Sequence, residues 1–271
     1  MGEAYMPLIA SSQDANQLAI VDLLSLAARH ANRRVATLPL RFFYKLSRAW
    51  AQMPDGDASG KLRLRHALVD PFAHLAEACL DHAARTDDDG TVEDLARDDA
   101  LLGDDFARHR TDLFDALGDC AFFLGPDPVL DIIGARLRTA LSSSPETSAV
   151  GAPHASRTQN TNGAAVVRNG GGSASSSSDH RTAAEDAVEA AFFALRAVAE
   201  TVPDTEARVV PAAFALLQRL DPAWRAALKA ATSAVAAYAN WLKNHTTELL
   251  EPVFGFLVAQ LEAAAALARE A

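Results

Sequence analysis

Three histidines, His66, His74 and His82, recur every eight residues along an apolar stretch. Regularly spaced imidazoles on a helix suggest metal binding. Eight residues carry each ring about 80° round the helix from the last, so they do not make the i, i+4 pair of a helical zinc site. Isolated histidines without convergent ligands are surface or core residues. The two cysteines, Cys79 and Cys120, each sit inside an apolar helical pattern. That placement suits reduced core thiols better than nucleophiles. Asn244-His245-Thr246 matches a glycosylation sequon, which is accidental in an intracellular chain. No phosphate-cradling glycine loop and no nucleophile elbow occurs in the sequence. The expectation is a protein that is not an enzyme and holds no metal or cofactor.

The strongest charge feature lies between Thr86 and Asp105. Nine acids (Asp87, Asp88, Asp89, Glu93, Asp94, Asp98, Asp99, Asp104 and Asp105) stand there against one base, Arg97. The whole chain has a formal net charge of -10, so this stretch carries most of it. Acidic balance disfavours contact with nucleic-acid phosphates, which need clustered Lys and Arg. Two readings of the run stand side by side. It is a solvated, self-repelling loop, or a loop that meets a basic partner through Asp87, Asp88, Asp89, Asp98 and Asp99.

The elements that must hold these residues are helices. Hydrophobic residues make up 49% of the 271 positions but aromatic residues only 7%, and Ala and Leu dominate the remainder. Both enter helices at little cost, whereas strands favour branched and aromatic side chains. No run of about 18 uninterrupted apolar residues appears, so no membrane insertion is expected. Residues 1–15 lack a signal peptide's basic start and apolar core, and an intracellular protein is the expectation.

Along the chain, Ala15–His30 reads as a helix buried between neighbours. Asn32 caps a helix running to Met53, with Pro39 kinking it or delaying its regular part. A helix over Leu62–Arg85 has a bend or restart at Pro71. After the acidic loop at 86–105, Phe106, Arg110, Leu113, Leu117, Cys120, Ala121 and Leu124 trace one face. Gly125-Pro126-Asp127-Pro128 turns the chain into a helix bearing Val129, Ile133, Leu137 and Leu141. From 142 to 182 the apolar period vanishes into Ser, Gly, Asn and Thr, the composition of a disordered insertion. Helices then return with Val188, Phe192, Leu195, Val198 and Val202, and with a partner over Thr205–Leu220 in which Pro211 marks a bend or late start. Trp224, Leu228, Ala231, Val235, Tyr238 and Leu242 follow from a start at Asp221-Pro222, and Leu249, Val253, Phe256, Leu257 and Leu261 form a last stripe. First helices of pairs begin near Asn32, Asp105, Thr182 and Pro222, the last two about 40 residues apart, a HEAT-type period. The expected fold is all-α, a HEAT-like helical-repeat solenoid. Helical hairpins over 1–141 and 183–271 belong to one solenoid, interrupted by 142–182.

Four clusters along this solenoid resemble the transportin-SR and importin-thirteen branch of the importin-β superfamily. Phe42-Phe43-Tyr44-Lys45-Leu46 is similar to its aromatic-rich helix, with Phe43 where Trp is usual. Asp104-Asp105-Phe106 with Arg110, Leu113, Leu117 and Leu124-Gly125 resembles its acidic lead into a long helix. Glu189-Ala190-Ala191-Phe192-Phe193 is similar to the first helix of a repeat. Trp241-Leu242, His245, Leu249 and Glu251-Pro252-Val253 resemble its Trp turn and second helix. Thr246 stands where Pro is common, and the 142–182 segment is extra. The resemblance implies the central portion of a nuclear transport receptor several times longer, without the repeats of the Ran-binding and cargo arches. It also implies Ran GTPase, a cargo protein and Phe-Gly nucleoporins as partners, with shuttling between nucleus and cytoplasm. A generic HEAT scaffold for another complex is the alternative reading, and an all-helical enzyme the third.

Overall fold

The structure, a computed structural model, describes residues 15–54, 58–84, 92–142, 176–245 and 247–270. Its helices are α1 (Ala15–Ala28), α2 (Arg33–Thr37), α3 (Leu40–Ala51), α4 (Ala58–Ala83), α5 (Val92–Leu124), α6 (Pro126–Ser142), α7 (Ser176–Val198), α8 (Val209–Ala215), α9 (Arg225–Ala237), α10 (Ala239–Lys243) and α11 (Thr247–Glu270). Among the described residues there is no strand.

The helices stack in two layers. α3, α5, α7 and α9 lie side by side in one, and α1, α4, α6, α8 and α11 in the other, with successive helices from α3 to α7 also packed across the layers. This is the hairpin-on-hairpin order of a solenoid, in which each pair buries its apolar faces against the next. One continuous core runs through both layers. Near one end, Phe43 meets Phe72 edge-on at 5.1 Å, and Phe72 stacks on Phe123 at 4.1 Å. These three rings tie α3, α4 and α5 together. Near the other end Phe214, Tyr238 and Trp241 meet edge to face. Tyr238 donates its hydroxyl proton to the Leu195 carbonyl at 3.1 Å. A buried phenol needs such a partner, and burial pushes its ionisation upward.

The turns follow local chemistry. Asn32 accepts a hydrogen bond from the Arg34 amide and starts α2, and Pro39 sits just before α3, so the expected break falls there. Gly125 has φ +88° between α5 and α6, the left-handed conformation that glycine takes past a helix end. Arg65 donates to the Leu124 carbonyl exposed at that end, at 2.9 Å. The Glu206 carboxylate accepts from the amides of Arg208, Val209 and Val210, which satisfies donors at the start of α8.

Several expected boundaries move. α5 begins at Val92, so residues 92–105 of the expected acidic loop are helical. Leu95, Ala96, Ala100, Leu101 and Leu102, good helix formers, stand among the acids and favour helix despite the charge. Residues 85–91 lie outside the described set. Helix α7 starts at Ser176, inside the segment expected to be disordered; residues 143–175 lie outside the described set. Pro71 sits inside an unbroken α4 rather than at a restart. Asp221 accepts from the Ala223 amide at 2.9 Å, forming a turn, and α9 starts only at Arg225. The Thr205–Leu220 helix is shorter than expected, with α8 followed by a 3-10 turn at Leu217–Arg219.

Two helices are less covered than their composition suggests. In α1 only one face is buried, while Leu23 and Leu26 are exposed. In α11 Val253 and Phe256 are buried, but Phe254, Val258 and Leu261 are not, so Leu261 leaves the expected core stripe. Glu248–Ala266 is the one described stretch long and apolar enough to cross a membrane, with mean hydropathy 1.4. Glu251, Gln260 and Glu262 interrupt it, which is why no continuous apolar run marks it in the sequence.

Candidate functional site: a groove on the first-helix layer

The site is built where α5, α7 and α9 run alongside one another. Along α7, Asp186, Glu189, Phe193 and Arg196 recur at helical spacing and share one face. Along α9, Ala226, Ala230 and Ser233 do the same, with Lys229 beside them. Small residues on α9 keep that wall low. The result is an open groove of about 320 Å³ lined by these residues and by Arg110 of α5. A neighbouring cavity of about 390 Å³, lined by Arg196, Ser233, Ala236 and Ala237, prolongs it.

Arg110 organises the floor. It donates to both Glu189 carboxylate oxygens, at 3.0 and 2.7 Å, and also to the Ala83 carbonyl at 3.3 Å. Its guanidinium lies 4.2 Å from the centre of the Phe193 ring. Phe193 in turn meets Phe114 edge-on at 5.9 Å, and Arg196 covers Phe114 at 5.3 Å. Only 18% of the Arg110 side chain and 12% of the Glu189 side chain are exposed, so two-point pairing replaces much of the lost hydration. Glu185 accepts from the Ala226 amide at 3.2 Å, pinning the start of α9 to α7.

A second cation–aromatic arrangement lies on the same layer between α3 and α5. Arg48 lies over Tyr44 at 5.4 Å and over Phe122 at 5.1 Å, with both rings partly exposed. Beneath it stands Asp119, 3.7 Å from the Arg48 guanidinium. Burial, opposed by Arg48 and helped by Asp115, pushes the Asp119 carboxyl up to about 6.

The residues singled out from sequence lie elsewhere. Asp87, Asp88 and Asp89 fall outside the described set; Asp98 and Asp99 lie on α5. His66 and His74 are exposed and lie on different faces of α4, while His82 lies beside His109, ring centres 5.8 Å apart. His109 is buried, with Nδ1 2.9 Å from the Thr37 hydroxyl and Nε2 without a partner. Among the described residues no group of three His, Cys, Asp or Glu side chains is placed to hold a metal ion. Cys79 and Cys120 are free and fully buried. Burial pushes the Cys79 thiol up to about 12 and the Cys120 thiol well up too, which makes both poor nucleophiles.

The Arg110–Glu189 pair was not found from sequence, although both residues belong to the clusters noted there. Arg110 is a charge within the apolar stripe of Phe106, Leu113 and Leu117, and such a charge needs a buried partner. That signal existed. The pairing across 79 positions did not follow from it.

No protein-family profile matches the chain, and no curated protein matches it. Among solved structures it is similar to that of Importin13 in its cytosolic state, with a TM-score of 0.70 at 18% identity. The match covers 96% of this chain and 26% of that protein, so the chain spans about a quarter of its length. At this identity the likeness shows the fold alone: an all-α helical-repeat solenoid.

Proposed function

We propose that the chain is part of a nuclear transport receptor of the importin-β superfamily, in its transportin-SR and importin-thirteen branch, and that its role is binding without catalysis. The observation that carries this reading is the solenoid itself, similar to a quarter of Importin13 over nearly the whole chain. The ordered clusters from Phe42 to Val253 support the branch. On this reading the partners are Ran GTPase, a protein cargo and Phe-Gly nucleoporins, and the protein moves between nucleus and cytoplasm. A solenoid changes curvature by small adjustments between neighbouring repeats. Ran and cargo would each favour a different curvature, and each would then weaken the other's binding by the same factor.

The test is retention of the chain on immobilised Ran loaded with GTP or with GDP. Retention by the GTP form alone, reduced when Asp87, Asp88, Asp89, Asp98 and Asp99 become Asn, fits a Ran contact through the acidic run. Equal retention on both forms, or on neither, returns the acidic run to a solvated spacer. Since the match covers only 26% of Importin13, that outcome counts against this Ran contact and not against the family reading. Loss of the acids should act through screening-sensitive charge, so added salt should mimic it.

A further inference from the structure

We propose that copies of this chain stack end to end, the uncovered stripe of α1 in one copy packing against the uncovered stripe of α11 in the next. The inference does not rest on the transport reading.

The two stripes lie at opposite limits of one layer. α1 packs on α4 and α2, whereas α11 packs on α8, the following 3-10 turn and α9. In α1 the side chains turned to the core are Val21, Ser25 and Ala28. Ala19, Leu23 and Leu26 fall on the opposite side of the helix, and the two leucines are 63% and 66% exposed. In α11 the core takes Val253 and Phe256, while Phe254, Val258, Leu261 and Ala265 form a separate exposed stripe. Half of the large exposed apolar side chains among the described residues stand on these two helices. Both stripes advance by alternating steps of four and three residues, the spacing a helix presents to a packed neighbour. In a solenoid such a stripe is the seat of another helix.

Charge selects the occupant. Over residues 15–37 three bases, Arg29, Arg33 and Arg34, stand against one acid, Asp22. Over α11 four acids, Glu248, Glu251, Glu262 and Glu270, stand against one base, Arg269. Packing α1 of one copy on α11 of another therefore joins a basic margin to an acidic one. A symmetric contact, α11 on α11 or α1 on α1, would set like charges together. A lipid surface matches α11 less well, because helices that lie in a bilayer interface carry Lys and Arg, and anionic headgroups repel glutamates. Since the two joined faces differ, the contact is heterologous and each pair keeps one face open at either end.

The test is sedimentation velocity on the full chain at rising concentration, with circular dichroism to confirm that every variant is folded. Species larger than a dimer should appear as concentration rises. Leu23→Gln with Leu26→Gln closes the α1 face, and Val258→Gln with Leu261→Gln closes the α11 face. Each double variant alone should associate at least about tenfold more weakly, the loss expected when the centre of an interface is disrupted. Mixed one to one, the two variants should form a dimer that grows no further, since each supplies the face the other lacks. Leu26→Gln and Val258→Gln alone replace any pair that unfolds the chain. A parent that stays monomeric overturns the proposal. Self-association that survives in the α1 variant and vanishes in the α11 variant also overturns it, by marking a symmetric contact. A monomeric parent that floats with phosphatidylcholine vesicles, and an α11 variant that does not, would overturn it and assign α11 to lipid.

Discussion

At the scale of single residues, two buried titratable groups pull stability in opposite directions. Burial, with His82 and Arg33 nearby, lowers the His109 imidazole from 6.5 to about 4. The native state therefore keeps His109 neutral while the unfolded chain protonates, and stability from this group falls as pH drops from 6.5 towards 4. Asp119 is raised from 3.8 to about 6. The native state holds that proton, so the contribution of Asp119 is present at low pH and is lost as pH rises through 6. Asp119→Asn should accordingly stabilise the protein by about 1–2 kcal/mol at pH 7.5, because it removes a desolvated charge whose half-exposed partner contributes little. The gain should vanish by pH 4. Urea melts of parent and variant at both pH values measure this. A variant less stable than the parent at pH 7.5 would show that the Arg48 ion pair outweighs the burial.

At the scale of elements, glycines distinguish helix interior from helix end. A Cβ at Gly118, within α5, would meet only the Ala197 carbonyl at 3.8 Å, so Gly118→Ala should stabilise by roughly 0.5–1 kcal/mol through helix propensity. Gly125→Ala should destabilise by about 1 kcal/mol, since its φ of +88° is unfavourable for any side chain. Thermal melts of both variants should shift in opposite directions; a shared sign would contradict the assigned turn. The Arg110–Glu189 link across α5 and α7 gives a sharper test. Arg110→Met or Glu189→Leu alone should cost about 3–5 kcal/mol, because each strands a buried charge. The double variant should cost less than either, and additive losses in a double-mutant cycle would show that the two do not act as a pair.

Helix existence was legible from the 3.6-residue period of Leu, Ala and Phe, as in the stripe from Trp224 to Leu242, all of it buried. Boundaries were less so. Charge density hid the start of α5 because the acid run masks Leu95, Leu101 and Leu102, and polarity hid the start of α7 among serines. Burial of α1 and α11 was overestimated because an apolar residue in a helix does not state whether a neighbour covers it. The groove was illegible for a related reason: Arg196, Lys229 and Ser233 are unremarkable in sequence, and only stacking of α7 on α9 brings them together.

At the scale of the whole molecule, two layers of helices share one core, so neighbouring pairs can adjust without breaking the stack. The exposed rings of Tyr44 and Phe122 and the half-buried Phe193 all lie on the layer of α3, α5, α7 and α9. A receptor that crosses a barrier of Phe-Gly repeats needs many weak apolar contacts of this sort, whose sum gives avidity while each releases quickly. The most direct measurement of the transport reading is partition of the labelled chain onto beads coated with Phe-Gly repeats, against an inert protein of equal size and charge. The chain should accumulate on the bead surface well above the inert protein, and Tyr44→Ser with Phe122→Ser should reduce that accumulation while the helical circular dichroism is unchanged. Exclusion from the beads to the same degree as the inert protein would contradict it.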